Sequence, residues 1–100
     1  MIIDKFKCLI ENVGKPFKQG KHTKQIIIIK KPSPVDELGD KLFPDDFFKT
    51  QVWNKNIDKL TELKKGDKVW AFCQLNGRQE TGSHGFNYYL NMNVYKIEKI

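Results

Sequence analysis

Residues 47–76 constrain the fold most, because their pattern predicts a strand, a short helix and a second strand in direct succession. Side chains alternate between the two faces of a strand, so Phe48, Thr50 and Val52 share one face, which we expect to line the core. The opposite face carries rings, a cation and an amide, namely Phe47, Lys49, Gln51 and Trp53. Aromatic rings beside cations are typical of surfaces that bind single-stranded nucleic acid. The alternative is that these rings cover a subunit interface.

The helix and the strand that follow have clear signatures. Lys55–Leu63 predicts a helix of about two turns, with apolar residues every three positions on one side. Lys68–Asn76 then places small side chains on one face, as the inside of a tight barrel requires. The other face holds Trp70 and Phe72, which either bind a ligand or pack against the 32–46 connection or another subunit.

The chain begins with a predicted strand, Ile2–Val13, whose apolar side chains shift phase from Leu9 onward. Such a shift indicates a bulge or bend where one strand crosses two partners. Residues 14–21 form a turn-rich basic loop bracketed by glycines. Lysines of this loop and of the start of the next strand are expected to contact phosphates: Lys15, Lys18, Lys21 and Lys24. Phe17 stands among them and either folds back over the barrel mouth or stacks on a base.

The second predicted strand, Thr23–Lys31, contains four consecutive isoleucines, which indicates burial on both faces or at an oligomer contact. Residues 32–46 then form an acidic connection that is too long for an ordinary hairpin turn. Its apolar residues recur at near-helical spacing and predict a short helical turn packed on the body: Val35, Leu38, Leu42 and Phe43. We expect its five carboxylates to face solvent, because they would repel phosphate if they faced the binding site. Their spacing also matches no cation-binding loop.

The last part of the chain predicts a mobile hairpin loop, Gly77–Gly85, and a strand, Asn87–Ile100, with Tyr88 near its start. Arg78 in the loop is the only arginine among eighteen cations. Lysine neutralises phosphate as a point charge but lacks the bidentate fork that reads base edges. The net charge of +6 therefore favours contact with the backbone of a polyanion, without sequence readout.

Several functional classes are not expected. The sequence has no paired acid and base, phosphate-binding loop or metal-ligand spacing, so we expect neither an enzyme nor a metal or other cofactor. Cys8 and Cys73 lie far apart on apolar strand faces and are predicted to be buried thiols. Because there is neither a long apolar run nor a signal peptide, we expect a cytoplasmic protein without membrane contact.

Five strands, with one short helix between the third and fourth, have the element order of the OB-fold, a five-stranded Greek-key barrel. We therefore expect an all-β single domain over residues 1–100, with 32–46 as a long acidic loop between strands two and three. In this fold the face of strands two and three, flanked by the first and last hairpin loops, forms the binding groove.

Four short segments carry a family resemblance: Lys24-Gln25, Val52-Trp53-Asn54, Leu63-Lys64-Lys65-Gly66-Asp67-Lys68-Val69 and Leu75-Asn76-Gly77-Arg78. They resemble bacterial single-stranded DNA-binding proteins, and more closely a small family of uncharacterised bacterial proteins with the same fold. The resemblance covers most of residues 3–98. It implies that aromatic residues of the third strand, Phe47 and Trp53 here, stack on bases, and Trp70 is similar to an outward aromatic residue on the fourth strand.

The chain departs from those proteins in its acidic insertion at 32–46 and in lacking a glycine-rich tail with an acidic tip. The first departure bears on how open the groove is. The second implies an accessory, plasmid or phage-type relative rather than the main genome-coating protein. Such relatives are often homodimers or homotetramers.

The sequence thus predicts a non-catalytic protein that binds single-stranded DNA, with RNA as an alternative, independently of sequence in replication, repair or recombination. The residues expected to bind are Lys15, Phe17, Lys18, Lys21, Lys24, Phe47, Lys49, Trp53, Trp70, Arg78 and Tyr88. The competing hypothesis is a protein-interaction or assembly module on the same scaffold, because a fold does not determine its function. In that case Trp70, Phe72 and the isoleucine run form the interface.

Overall fold

The computed structural model describes residues 1–60 and 62–100, which are mostly β-structure with one short helix. The six strands and the helix are β1 Phe6–Val13, β2 Phe17–Gln19, β3 His22–Lys31, β4 Asp46–Trp53, α1 Lys55–Asp58, β5 Lys68–Gly82 and β6 Gly85–Lys99. One strand more than predicted is present, because the basic segment 14–21 is not all loop. Within it, β2 pairs with the start of β3 around a turn at Gly20, whose φ of 63° favours glycine.

Five strands close into a ring through the double pairing of β1. This strand pairs with β5 over Phe6–Leu9 and with β3 over Leu9–Val13. The remaining contacts are β5 with β6, β6 with β4 in parallel, and β4 with β3, while β2 adds to β3 alone. The register of β1 on β3 shifts between Ile10 and Asn12, which confirms the predicted bulge.

The core lies inside this ring and is built from alternate residues of its strands. The buried apolar residues are Cys8, Ile10, Ile27, Ile29, Val52, Val69, Ala71, Cys73 and Val94. Thr50 is also fully buried, and its hydroxyl donates a hydrogen bond to the Ile27 carbonyl at 2.7 Å. The isoleucine run is buried on one face only, since Ile26 and Ile28 are half-buried on the outside. Of the two alternatives for this run, burial on both faces within the chain was wrong, and a contact with another subunit stays a prediction.

The helix is shorter than predicted. α1 makes a single turn, and no helix in residues 1–60 and 62–100 is long and apolar enough to cross a membrane. Glu62 has a φ of 44°, a left-handed conformation that a helix cannot continue through. Ile57, Leu60 and Leu63 nevertheless pack against the core, as their spacing predicted. Thr61, inside the predicted helix, lies outside the described residues.

The acidic loop, residues 32–46, contains no helical turn, and that prediction was wrong. The Asp36 carboxylate accepts hydrogen bonds from the backbone N–H groups of Leu38 and Asp40, which replaces the helical bonding pattern with a turn. The four apolar side chains expected to pack on the body are exposed: Val35, Leu38, Leu42 and Phe43. The loop is instead fastened through Asp45, which contacts Lys30 and Lys41 and accepts the Ser33 N–H.

The predicted loop at 77–85 is a two-stranded arm. β5 and β6 stay paired as far as Gly82 and Gly85, well past the last pairing of β4 with β6 at Gln51. We define the arm as residues 76–91. Its strands persist because residues with high β-propensity such as Thr81 and Phe86 pair across it. The tight turn is formed by Ser83 and His84, and Gly85 follows it with a φ of 120°, which favours glycine.

The one-sided burial of the isoleucine run predicts unequal effects of truncation. Ile27→Ala should lower the free energy of unfolding by about 2–5 kcal/mol, because it leaves a cavity in the core. Ile28→Ala, the matched change on the outer face, should cost less than about 1 kcal/mol. Urea unfolding of both variants measures the difference, and equal losses would contradict the assignment of faces.

The attachment of the acidic loop predicts a pH dependence. The hydrogen bond from Lys41, the Ser33 N–H and the charges of Lys41 and Lys30 lower the pKa of Asp45 from 3.8 to about 2. A lowered carboxyl pKa stabilises the folded state above the unfolded pKa, and this contribution disappears as the pH falls through the folded value. Asp45→Asn should therefore lower the melting temperature near neutral pH, with the difference from wild type shrinking between about pH 4 and pH 2.

Asp46→Asn removes the same charge one residue later and is the matched control. If both variants show the same pH profile, the ion pairs of Asp45 are not what holds the loop.

Candidate nucleic-acid interface

The outer face of β3 and β4 carries the side chains that the sequence placed opposite the core. Because Thr50 and Val52 are buried, their neighbours on β4 point outward, as predicted. The register pairs Lys24 with Trp53 at one end of the two strands and Lys30 with Phe47 at the other. The two rings are six residues apart, which separates them by roughly 20 Å along the strand.

A row of side chains crosses four strands at the Trp53 end. Phe17 on β2 pairs with Lys24 on β3, and Lys24 pairs with Trp53 on β4. The indole N–H of Trp53 donates a hydrogen bond to Oδ1 of Asn93 on β6 at 3.0 Å. Residues directly opposite one another in antiparallel strands share a face. We call Phe17, Lys24, Trp53 and Asn93 the aromatic row.

The Trp53 ring is held in place by several neighbours. Lys24 Nζ lies 5.3 Å from its centre, a cation–π distance, and the His22 ring meets it edge-on at 6.1 Å. His22 is positioned by Asn54, whose amide nitrogen lies 3.1 Å from Nδ1 of the imidazole. A shallow, open depression of about 390 Å³ lies beside the indole, lined by His22, Trp53, Asn54, Asn76 and Asn93. The site therefore combines a fixed aromatic plate with polar groups around it.

The Phe47 end is more exposed and less cationic. Phe47 is 56% exposed, and Lys30 Nζ lies 5.9 Å from the centre of its ring. Lys30 also lies 3.5 Å from the Asp45 carboxylate, which offsets its charge. A cleft of about 360 Å³ separates this end of β4 from the base of the arm, lined by Phe47, Phe48, Lys49, Leu75, Leu90 and Met92.

Amide side chains fill the space between the two ends. Gln51 donates a hydrogen bond to Oδ1 of Asn91 at 3.0 Å, next to the bond between Trp53 and Asn93. Amides can hydrogen-bond the edges of unstacked bases. The sequence reasoning missed both asparagines. The sequence feature that could have identified them is their position on either side of Met92, because strand alternation puts both amides on one face of β6.

The basic hairpin, formed by residues 14–21 and the start of β3, contributes its lysines unequally. Lys15, Lys18 and Lys21 are all exposed. Lys18 pairs with Thr23, one position out of phase with Phe17, so it lies on the opposite face of the hairpin from the aromatic row. Lys18, one of the lysines expected to contact phosphates, is therefore not brought together with the aromatic row.

Two residues of the arm, Arg78 and Tyr88, were predicted to bind nucleic acid, and they lie on opposite faces of it. Arg78 pairs with Tyr89, and its guanidinium carbon lies 5.0 Å from the centre of that ring. Both lie on the arm face that continues Asn91 and Asn93, although the Arg78 Nε is also 3.2 Å from a Glu80 oxygen. Tyr88 alternates with Tyr89 and lies on the other face, so it does not join the aromatic row.

Trp70 belongs to a second aromatic cluster. Lys5 and Lys7 lie 4.8 and 5.1 Å from the centre of its ring, and Lys5 also approaches Phe72. The Phe72 ring in turn lies 6.2 Å from Tyr95. Gln74, which pairs with Asn93, lies between this cluster and the aromatic row along β5. Trp70 therefore points outward as predicted but is not brought together with Trp53.

The charged segments lie at opposite ends of the face. The basic hairpin joins β3 at the Trp53 end, since β2 pairs with His22 to Lys24. The acidic loop joins β3 to β4 at the Phe47 end, where Lys31 pairs with Asp46. The positive potential of the face is therefore concentrated around the aromatic row.

The two cysteines are core residues, as predicted. Burial raises the pKa of Cys8 to about 11 and that of Cys73 to about 12, so both remain protonated thiols near neutral pH. Within residues 1–60 and 62–100, no group of three or more histidine, cysteine or acidic residues is placed to hold a metal ion.

No protein-family model matches the chain, and no curated protein matches its sequence.

Proposed function

We propose that the protein binds single-stranded DNA without sequence preference, on the outer face of β2, β3, β4 and β6. The aromatic row is the observation that carries this proposal. It combines two rings, a lysine between them and a side-chain amide on one continuous surface, within a positive part of the molecule. Aromatic platforms in a positively charged groove are how proteins bind single strands without reading their sequence.

We also propose that the ring is an OB-fold barrel of the Greek-key type. Five ring strands and a helix between the third and fourth of them, β4 and β5, support this assignment. The OB-fold binds oligonucleotides on its second and third strands and on the first and last hairpin loops. Here those elements correspond to β3, β4, the β2 hairpin and the arm, which include the aromatic row.

In this proposal aromatic rings bind the bases and lysines bind the phosphates. Bases stack on Trp53 and Phe17, and on Phe47 farther along β4, each contact contributing roughly 1–3 kcal/mol. Phosphates are neutralised by Lys24 and by two exposed lysines of the basic hairpin, Lys15 and Lys21. The strand enters at the hairpin end, because the acidic loop repels phosphate at the Phe47 end.

The absence of sequence preference follows from which polar groups are already paired. The Gln51 and Asn91 side chains bond each other, and Asn93 accepts from the Trp53 indole, so each retains only part of its hydrogen-bonding capacity. The cations near the row are lysines, which contact phosphates as point charges. Stacking tolerates every base, because every base has an aromatic face.

A Trp70→Phe variant isolates the fluorescence of Trp53 for a direct test. Titration with a thymine homopolymer should quench it saturably, because a base stacks on the indole. The affinity should fall by about 0.7 log units per log of salt for each phosphate neutralised. Trp53→Phe, which retains only Trp70, is the matched control and should show much weaker quenching; a uracil homopolymer tests the RNA alternative. Absence of quenching in Trp70→Phe at low salt, or binding insensitive to salt, would refute the proposal.

Lysines on the two faces of the basic hairpin provide a second test. Lys24→Gln removes the cation of the aromatic row and should weaken binding several-fold, lowering the salt slope by about 0.7. Lys18→Gln removes the same charge from the opposite face and should change both quantities much less. Filter or anisotropy binding at several salt concentrations measures them. Equal losses would mean that overall charge, not the row, drives binding.

The competing function, a protein-assembly module, is favoured by a different observation. Large apolar side chains are exposed on the arm and on the acidic loop, with Leu38 87% and Tyr88 74% exposed. Exposed apolar patches mark contacts with other proteins. These patches lie away from the aromatic row, so they can serve assembly without replacing nucleic-acid binding.

A further inference from the structure

The two faces of the arm differ in chemistry. One face continues the core side of β5 and β6 and carries Phe86, Tyr88 and Leu90, which are 60%, 74% and 71% exposed. The other face carries Arg78 and the Tyr89 ring on which it stacks. We call the first the apolar arm face. Its three large side chains follow one another at every second residue of β6, so they form one continuous stripe.

A stripe of this kind requires an explanation, because the arm has only two strands. An isolated two-stranded hairpin is at best marginally stable in water, and it needs packing on one face to persist. Each of the three side chains pairs across the arm with a smaller or polar residue: Gly77 with Leu90, Gln79 with Tyr88 and Thr81 with Phe86. These partners cannot cover the rings.

We propose that the apolar arm face is a dimer interface, on which the same face of a second copy packs about a two-fold axis. The charges favour a second copy as the occupant. Each chain carries a net charge of +6, so the contact between two copies that is opposed least is one that brings no charged side chains face to face. Gln79 and Thr81, which pair with Tyr88 and Phe86, carry no charge, whereas Arg78 and Glu80 lie on the other face.

The area also fits a dimer. The three exposed side chains offer roughly 400 Å² on each copy, taking about 200 Å² for a large side chain. A symmetric contact therefore buries roughly 800 Å² from these side chains alone. Gln79 and Thr81 raise the total toward the roughly 1,000 Å² that a specific interface needs as a minimum.

Gly77 gives the surface a shape that two identical copies can share. A Cβ atom at this position would meet only the Tyr89 carbonyl oxygen, at 3.8 Å, so the space above it is open. The glycine leaves a notch beside Leu90 on the apolar arm face. In a two-fold contact each copy supplies both the notch and the ring that fills it, and Tyr88 is the most exposed ring available.

This dimer leaves the aromatic row and Arg78 uncovered, because they lie on the other side of the strands. The inference does not depend on nucleic-acid binding. An apolar interface between positively charged chains should be maintained or tightened by salt, whereas binding to a polyanion weakens. The two proposals can therefore fail separately.

Sedimentation equilibrium of the full chain tests the dimer. The wild type should have twice the mass of one chain, and Tyr88→Ser should raise the dimer dissociation constant at least tenfold. Tyr89→Ser is the matched control, since it removes the same ring one residue later on the opposite face, and it should stay dimeric. A monomeric wild type, or equal dissociation in both variants, would overturn the proposal. So would a Tyr88→Ser variant that remains dimeric and loses DNA binding instead.

Cysteine substitutions keep the proposal testable if Tyr88→Ser does not fold, which circular dichroism would reveal. Thr81→Cys places a thiol on the apolar arm face, and Glu80→Cys places one on the opposite face. The native cysteines are buried and should not react. A short bis-maleimide should cross-link Thr81→Cys into covalent dimers and leave Glu80→Cys largely uncross-linked. The reverse pattern, or none with Thr81→Cys, would refute an interface on this face.

Discussion

The double pairing of β1 is the interaction on which the rest of the structure depends. Its first half bonds to β5 and its second half to β3, and the register shift between Ile10 and Asn12 bends it from one to the other. Without that change of partner the five strands would form an open sheet with two bare edges. Closure gives every strand an inside and an outside, and this alone decides which half of each alternating sequence meets solvent.

The outside of the ring gathers residues that are far apart in the chain. Phe17, Lys24, Trp53 and Asn93 come from four strands and meet in one row because antiparallel partners share a face. The indole is fixed by Asn93, His22 and the lysine above it, so little conformational entropy remains for a stacking ligand to remove. The rigid ring thus provides what the proposed binding of single strands requires, an aromatic plate already in position.

Charge and apolar surface are distributed so that separate regions can serve separate roles. The basic hairpin and the acidic loop lie at opposite ends of β3 and β4, which gives the proposed interface a direction. The arm carries a cation and a ring on one face and three exposed apolar residues on the other. Strand alternation produces this separation, because two neighbours such as Tyr88 and Tyr89 necessarily point to opposite sides.

The sequence alone determined the β-rich class, the short helix, the bulge in β1, and the inward and outward faces of β4 and β5. Strong two-residue periodicity specifies these features locally. It did not reveal the length of the arm, the turn in the acidic loop, the end of α1 or the separation of Trp70 from Trp53. Those were decided by tertiary structure. The arm exists because β5 and β6 pair past the ring, the acidic loop is shaped by Asp36 and Asp45, and the surface on which a ring lies depends on which strands become neighbours. Register between distant strands has no local signature, and so only the closed ring could show which side chains form the candidate site.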